Sequence, residues 1–120
     1  MSDAPEPGAD VARGMVVWAA PDPTVGREQT GRRPVLVVSS PMYLRTVTTL
    51  VLTVPVTTVD RGWANHVKLA GDLSLPHDCY AMTEQVRATS RARLGAVLGV
   101  VDEATMAAVE VWLRDFLDLH

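Results

Sequence analysis

The sequence has one cysteine, few aromatic residues and no long apolar run, and these shortages exclude several classes of protein. Cys79 is the single cysteine among 120 residues, so an intrachain disulfide is impossible and a reducing compartment is the simplest setting. No apolar run approaches the ~20 residues of a membrane span. The N-terminus lacks the basic and then apolar regions of a secretion signal. We therefore expect a cytoplasmic protein without a membrane segment.

The motifs of several enzyme classes are also missing. The sequence contains neither a phosphate-binding glycine motif nor the Gly-x-Ser-x-Gly elbow of serine hydrolases. His66, His77 and His120 lie far apart, and His77-Asp78-Cys79 supplies too few ligands for structural zinc. We predict no metal site and no cofactor. His66 is interpreted as a surface or half-buried histidine, and Cys79 as a small core residue.

Charge is distributed unevenly along the chain. The net charge is −3, but residues 13–101 carry ten Lys and Arg against six Asp and Glu, a local net of +4. The acidic residues are concentrated in the first 12 residues and from Asp102 onward. The basic middle of the chain permits an anionic ligand, including nucleic acid, that the overall composition alone would not suggest.

Hydrophobic patterning predicts a chain of short strands followed by one helix. Residues 1–12 are rich in Ala, Pro, Gly and Asp and are expected to be a disordered lead-in, with 13–120 forming one domain. Strands are predicted at 14–20, 34–39, 46–56, 65–69, 79–82, 86–89 and 96–101, with a turn at 41–45 and a turn or a single helical turn at 71–78. Pro55 suggests an edge or a bulge in its strand. Asp102 is a candidate N-cap for an amphipathic helix whose apolar face contains Met106, Val109, Leu113, Phe116 and Leu117. The pattern favours a mainly β fold, a small antiparallel barrel or curled sheet with a C-terminal helix.

A polar loop at 21–33 leads into the second predicted strand and ends in two arginines. Pro34 fixes its own φ and pushes Arg33 into an extended conformation, so Arg33 is held at the start of a rigid strand. Neighbours in an extended chain point to opposite faces, so Arg32 and Arg33 cannot both serve one site. A fixed cation beside a flexible loop suits an anionic substrate, and Arg33 is the better candidate.

Four segments, in order along the chain, carry a resemblance to a known family. They are Gly-Met-Val-Val-Trp at 14–18, Asp-Pro-Thr-Val-Gly-Arg-Glu-Gln-Thr-Gly-Arg-Arg-Pro-Val-Leu-Val-Val-Ser at 22–39, Val-Pro-Val-Thr-Thr at 54–58 and Glu-Gln-Val-Arg at 84–87. Together they resemble the MazF/PemK/Kid family of toxin endoribonucleases, from Arg13 to the C-terminal helix. Each segment alone is a weak signal, whereas four in register form a specific one.

The resemblance implies a fold, an activity and partners. The fold would be a small SH3-like antiparallel β-barrel that forms a homodimer. The activity would be metal-independent, sequence-specific cleavage of single-stranded RNA by its own 2′-hydroxyl, which leaves a 2′,3′-cyclic phosphate and a 5′-hydroxyl. The partner would be an acidic, partly disordered, MazE-like antitoxin of a type II toxin–antitoxin system.

The resemblance also implies which residues form the site. Arg33 and Thr57 match the catalytic arginine and threonine of the family. Residues that contact RNA or support the site would be Arg27, Glu28, Gln29, Thr58, Glu84 and Gln85. A guanidinium and a hydroxyl suit this chemistry, because negative charge grows on the phosphoryl oxygens in the transition state.

Three questions stay open at this level. The general base is Glu28, Glu84 or Arg33, and a carboxylate is favoured because a guanidinium rarely releases its proton near neutral pH. Two other functions fit the fold: a non-enzymatic gyrase-binding toxin and a catalytically silent antitoxin-binding relative. Met15 stands where the family usually has an acidic residue, and Arg27 lies where relatives vary, so substrate sequence preference does not transfer.

Overall fold

The computed structural model describes residues 10–21 and 31–119. Within these ranges the chain forms eight short strands, two α-helices and two single 3₁₀ turns. The strands are β1 (Met15–Ala19), β2 (Arg33–Val37), β3 (Leu50–Thr57), β4 (His66–Lys68), β5 (Gly71–Leu73), β6 (Tyr80–Met82), β7 (Arg87–Ser90) and β8 (Leu94–Val101). The helices are α1 (Pro41–Thr46) and α2 (Glu103–Leu117), and the 3₁₀ turns cover Thr83–Gln85 and Arg91–Arg93.

All strand pairs are antiparallel, in the order β4-β6-β3-β2-β1-β8-β5, with β7 also paired to β3. In the described part of the chain, the end strands β4 and β5 do not pair with each other, so the sheet is not closed. The predicted fold class, a mainly β antiparallel sheet with a C-terminal helix, is confirmed. The barrel is an open one.

Strand β3 changes its partner along its length. It pairs with β2 on one side, and on the other side with β7 as far as Thr53 and with β6 from Val56 onward. Pro55 lies between these two partners. The prediction of an edge strand or bulge was therefore wrong, because β3 is central. Proline is tolerated here since its missing N–H falls where the pairing passes from one neighbour to the next.

Two predicted turns are regular elements. Residues 41–45 belong to helix α1, which begins after Ser40, whose hydroxyl accepts a hydrogen bond from Tyr43 N at 3.0 Å. Residues 71–78 contain β5, which lies against β8 so closely that a Cβ on Gly99 would be 2.0 Å from the carbonyl oxygen of Asp72. Gly99 also has φ of +146°, which only glycine adopts freely.

Apolar side chains are buried on both faces of the sheet. Val16, Leu36 and Val54 are fully buried on one face, where Val109 of α2 packs against them. The other face buries Val17, Ala19, Val35, Val37, Val51 and Leu94. Because β1 and β2 contribute side chains to both clusters, packing on both faces of the sheet holds these two strands in place.

Helix α2 begins and docks as its sequence predicts. The Asp102 carboxylate accepts hydrogen bonds from Thr105 N at 2.9 Å and Thr105 Oγ1 at 2.7 Å, and these lower the pKa of Asp102. The predicted apolar face of α2 extends beyond the part of the helix that is buried, since Phe116 and Leu117 are 48% and 57% exposed. The contact with the sheet ends before the last turn of the helix.

Candidate active site

A cavity of about 670 Å³ opens where β2 begins and β3 ends. Its walls come from the ends of β1, β2, β3 and β6, the start of β7 and the turn before β8. The polar and charged residues among its lining are Arg33, Thr57, Thr58, Arg87 and Arg93. The cavity is therefore lined by three cations and two hydroxyls, and no carboxylate lies among its described lining residues.

Arg33 and Thr57 lie at the same end of neighbouring antiparallel strands. The pairs between β2 and β3 are Val35 with Pro55, Leu36 with Val54 and Val37 with Thr53. The same register, continued by two residues, sets Arg33 opposite Thr57, and both side chains line the cavity. Directly opposed residues on one face of a sheet have Cβ atoms ~5 Å apart. Arg33 and Thr57 therefore border the same part of the cavity.

Among the described residues, neither the Arg33 guanidinium nor the Thr57 hydroxyl proton is taken up by an ion pair. Arg33 is exposed and forms no ion pair with any residue that the structure describes. Thr57 Oγ1 accepts a hydrogen bond from Val59 N at 3.1 Å, which fixes the hydroxyl oxygen. A hydroxyl that accepts one bond can still donate its proton, so Thr57 can donate to a phosphoryl oxygen.

Arg32 occupies a different surface. Its guanidinium lies 5.1 Å from the ring centre of Trp18, a cation–π contact, and Arg32 does not line the cavity. Arg33 and Arg32 thus diverge as the alternation of an extended chain requires.

Sequence reasoning missed two of the cavity's arginines, Arg87 and Arg93. Arg87 begins β7 opposite Thr53 and makes no ion pair with another described residue. Arg93 donates from Nε to the carbonyl oxygen of Ala20 at 2.8 Å, which joins the end of β1 to the start of β8. The signal for Arg87 was present, since it closes the Glu-Gln-Val-Arg segment. Arg93 reaches the cavity through the distant β1–β8 pairing, which no local pattern reveals.

The structure places Glu84 and Gln85 outside the cavity lining, on the 3₁₀ turn that precedes β7. Both carboxylate oxygens of Glu84 lie 3.1 Å from Nε2 of His66, and Oε1 also accepts from Asn65 Nδ2 at 2.8 Å. Gln85 Nε2 donates to Glu84 Oε2 at 3.2 Å. The interpretation of His66 as a surface or half-buried residue was wrong, since its side chain is 3% exposed. It is buried because Glu84 supplies a polar partner.

Hydrogen bonding changes the acidity of Glu84. Partial burial raises its pKa, but the hydrogen bonds from His66, from its own backbone and from Gln85 outweigh burial, so the pKa is lowered. A lowered pKa and engaged oxygens make Glu84 a weak base. Its ionic partner among the described residues is His66.

Arg27, Glu28 and Gln29 lie outside the described residues. The residues on either side of their segment, Pro21 and Gly31, both line the cavity.

Other candidate sites are less well formed. Cys79 is buried in the core as expected, and burial together with Asp78 raises the pKa of its thiol. Within residues 10–21 and 31–119, no three His, Cys, Asp or Glu side chains gather into a possible metal cluster. Across the same ranges, no helix has the length and apolar character needed to cross a membrane.

The described residues thus form an open antiparallel sheet with a cavity at its strand ends that is lined by three arginines. Comparison with protein families matches residues 12–117 to the model described as PemK-like, MazF-like toxin of type II toxin–antitoxin systems. The chain belongs to this toxin family.

Individual relatives agree with this assignment. The chain is 37% identical over 101 residues to the endoribonuclease toxin MazF of Escherichia coli, covering 83% of each protein. It is similar to MazF in a MazE–MazF crystal structure from Deinococcus radiodurans, with a TM-score of 0.75, 27% identity and coverage of 99% and 100%. It is also similar to a mycobacterial endoribonuclease solved with its cognate antitoxin, with a TM-score of 0.73, 27% identity and coverage of 92% and 98%.

Proposed function

We propose that this protein is the toxin of a type II toxin–antitoxin system and an endoribonuclease that cuts single-stranded RNA through attack by the RNA's 2′-hydroxyl. The observation that carries the proposal is the placement of Arg33 and Thr57 across β2 and β3 at one cavity. Curated relatives named as endoribonucleases support the activity over a gyrase-binding function.

In the proposed reaction, the 2′-oxygen forms a bond to phosphorus while the bond from phosphorus to the 5′-oxygen breaks. Arg33 and Thr57 donate hydrogen bonds to the phosphoryl oxygens, whose negative charge grows in the transition state. One proton leaves the 2′-hydroxyl and one reaches the departing 5′-oxygen, which gives a 2′,3′-cyclic phosphate and a 5′-hydroxyl.

We assign Glu84 a supporting role and not that of general base. Its carboxylate faces His66 and Asn65, and it does not line the cavity. Glu28 and Arg33 remain the candidates for the base. Thr58, which lines the cavity beside Thr57, and the loop residues Arg27, Glu28 and Gln29 are proposed to contact RNA.

The proposed setting is the cytoplasm, and the proposed partners are a second copy of the chain and an acidic antitoxin segment. Exposed Arg33 and Arg87 attract a carboxylate-rich peptide by the same charge that attracts RNA. Added salt should therefore weaken both RNA binding and antitoxin binding.

The test compares Arg33→Ala and Thr57→Ala with Arg32→Ala as a matched control. We expect the first two to fold normally and to lose cleavage a hundredfold or more, the usual cost of removing one transition-state donor. Arg32→Ala should cut RNA at a rate close to that of the parent. A parental rate in Arg33→Ala would refute the site assignment.

The substrate side of the test uses a mixed-sequence RNA with the purified protein in EDTA. We expect cleavage, and sequencing of the new 5′ ends gives the preferred site. An oligonucleotide with 2′-deoxyribose at the scissile position should remain intact. Inhibition of gyrase supercoiling without any RNA cleavage would favour the non-enzymatic alternative.

A further inference from the structure

We infer that the exposed face of Trp63 is a stacking platform for a nucleobase near the scissile phosphate, a proposal that rests on the proposed ribonuclease function. Six aromatic residues are described. Trp18, Tyr43, Tyr80 and Trp112 are half-buried, and Phe116, near the end of α2, is 48% exposed. Trp63 is 52% exposed. A large aromatic ring left half open on a rigid support is what single-stranded nucleic acid uses for stacking.

The indole is supported from within the protein. Its ring centre lies 4.8 Å from that of His66, with the two planes tilted by 50°. His66 is buried and is held in turn by both oxygens of Glu84. Its other ring nitrogen, Nδ1, is buried without a hydrogen-bond partner among the described residues. The burial of this nitrogen costs free energy, and the ring that bears it is the one that packs against Trp63.

The loop that carries Trp63 is fixed at several points. Asp60 Oδ1 accepts a hydrogen bond from Gly62 N at 2.9 Å, and the Tyr80 hydroxyl donates to Asp60 Oδ2 at 3.4 Å. At the end of the loop, Trp63 O accepts from His66 N at 3.1 Å. The ring is therefore preorganised, which lowers the entropic cost of binding a base.

The platform adjoins the proposed active site. Val59 lines the cavity and precedes Trp63 by four residues, so the two Cα atoms are at most ~14 Å apart. Arg61 has its guanidinium 6.0 Å from the indole centre and forms no ion pair with another described residue. Its charge is thus available for the phosphate next to a stacked base. A strand of RNA with its scissile phosphate at Arg33 can reach Trp63 with a flanking nucleotide.

The experiment measures binding of the cleaved RNA sequence, synthesised with 2′-deoxyribose at the scissile position, by fluorescence anisotropy. Trp63→Ala should weaken binding about 5- to 150-fold, the range that loss of base–aromatic stacking produces. Trp63→Phe should keep most of the affinity. Trp63→Leu, which keeps the apolar bulk without a π face, should behave like Trp63→Ala. Met42→Ala, at a 67% exposed apolar residue of α1, is the matched control and should bind like the parent.

A second arm identifies the base. Oligonucleotides with one abasic site at each position are bound to the parent and to Trp63→Leu. At one flanking position the abasic site should weaken binding by the parent and have no further effect on the variant.

Three results would overturn the inference. The first is binding by Trp63→Ala and Trp63→Leu with the affinity of the parent. The second is that each abasic site weakens binding by the variants as much as binding by the parent. The third is a change in the oligomeric state of the variants on sedimentation, which would make Trp63 a contact between copies. If the parent protein cleaves RNA and any of these results is obtained, the stacking platform is refuted and the proposed ribonuclease function is not. A parent that cleaves no RNA refutes the proposed function and the platform with it.

Discussion

His66 of β4 and Glu84 of the 3₁₀ turn are joined by contacts of 3.1 Å from one imidazole nitrogen to both carboxylate oxygens. The contact connects a buried ring to a partly exposed carboxylate, and it fixes the turn that leads into β7. Arg87, the first residue of β7, lines the cavity. The pair therefore supports the cavity wall from outside.

The stability that Glu84 contributes should depend on pH. Its pKa is lowered in the folded protein from the ordinary value of 4.5, so its contribution is present above that value and is lost as pH falls through the folded pKa. Glu84→Gln should lower the free energy of unfolding at pH 7 by no more than about 1 kcal/mol, because the side chain is 31% exposed. The difference from the parent should shrink below pH 4.5. Urea unfolding at a series of pH values measures this, with Asp72→Asn, an exposed carboxylate, as control; a difference that grows toward acid pH would contradict it.

Arg13 should stabilise the docking of helix α2. Its guanidinium donates to the carbonyl oxygen of Val38 and pairs with Glu110 of α2. Arg13→Met should cost about 1–2 kcal/mol of unfolding free energy, since these are partly buried bonds to charged groups. Arg114→Met is the matched control: Arg114 lies 3.8 Å from the same carboxylate but is 66% exposed, and its loss should cost about 0.5 kcal/mol or less. Equal effects of the two variants in urea unfolding would show that burial does not decide the strength of the pair.

A buried hydroxyl pair between β3 and β7 should show strong coupling. Thr53 Oγ1 and Thr89 Oγ1 lie 2.9 Å apart, and both residues are buried. Thr53→Val should cost about 1–3 kcal/mol because the Thr89 hydroxyl loses its partner. The double variant Thr53→Val/Thr89→Val should cost less than the two single changes together. Thermal or urea unfolding of the cycle measures the coupling, with exposed Thr48→Val as control; strict additivity would exclude it.

Arg87 should bind RNA through its charge alone. Arg87→Ala should weaken RNA binding similarly for all sequences and reduce the slope of log affinity against log salt by about 0.7, the value for one phosphate contact on a single strand. Binding titrations over a range of salt concentrations measure this slope. Arg45→Ala, an exposed arginine of α1 outside the cavity lining, should leave the slope unchanged. An unchanged slope in Arg87→Ala would place Arg87 outside the RNA path.

Local patterns predicted the strands that border the cavity, whereas Thr57 was assigned only through the family resemblance. The Arg33-Pro34 step fixed an extended strand start, and the apolar residues around Thr57 defined β3. The His66–Glu84 contact was beyond such patterns, because 18 residues separate the partners and the pairing of β4 with β6 brings them together. Arg93 was missed for the same reason.

The errors in the fold have related causes. Helix α1 is a single short element that depends on its Ser40 cap and on Arg91, whose guanidinium donates to the carbonyl oxygens of Leu44 and Val47. Strand β5 has three residues and depends on contact with β8. Elements of this length have too few residues to show a period, so tertiary contacts decide them.

The change of partner at Pro55 divides β3 into two parts of unequal support. The part that ends at Thr53 pairs with four residues of β7, whereas the part that carries Thr57 pairs with the three-residue strand β6, which pairs in turn with the three-residue strand β4. Opening of this small ribbon would displace the Thr57 hydroxyl while the remainder of the sheet stayed folded. Loss of the reactive geometry can thus precede global denaturation, and heat inactivation would then begin at this margin of the molecule.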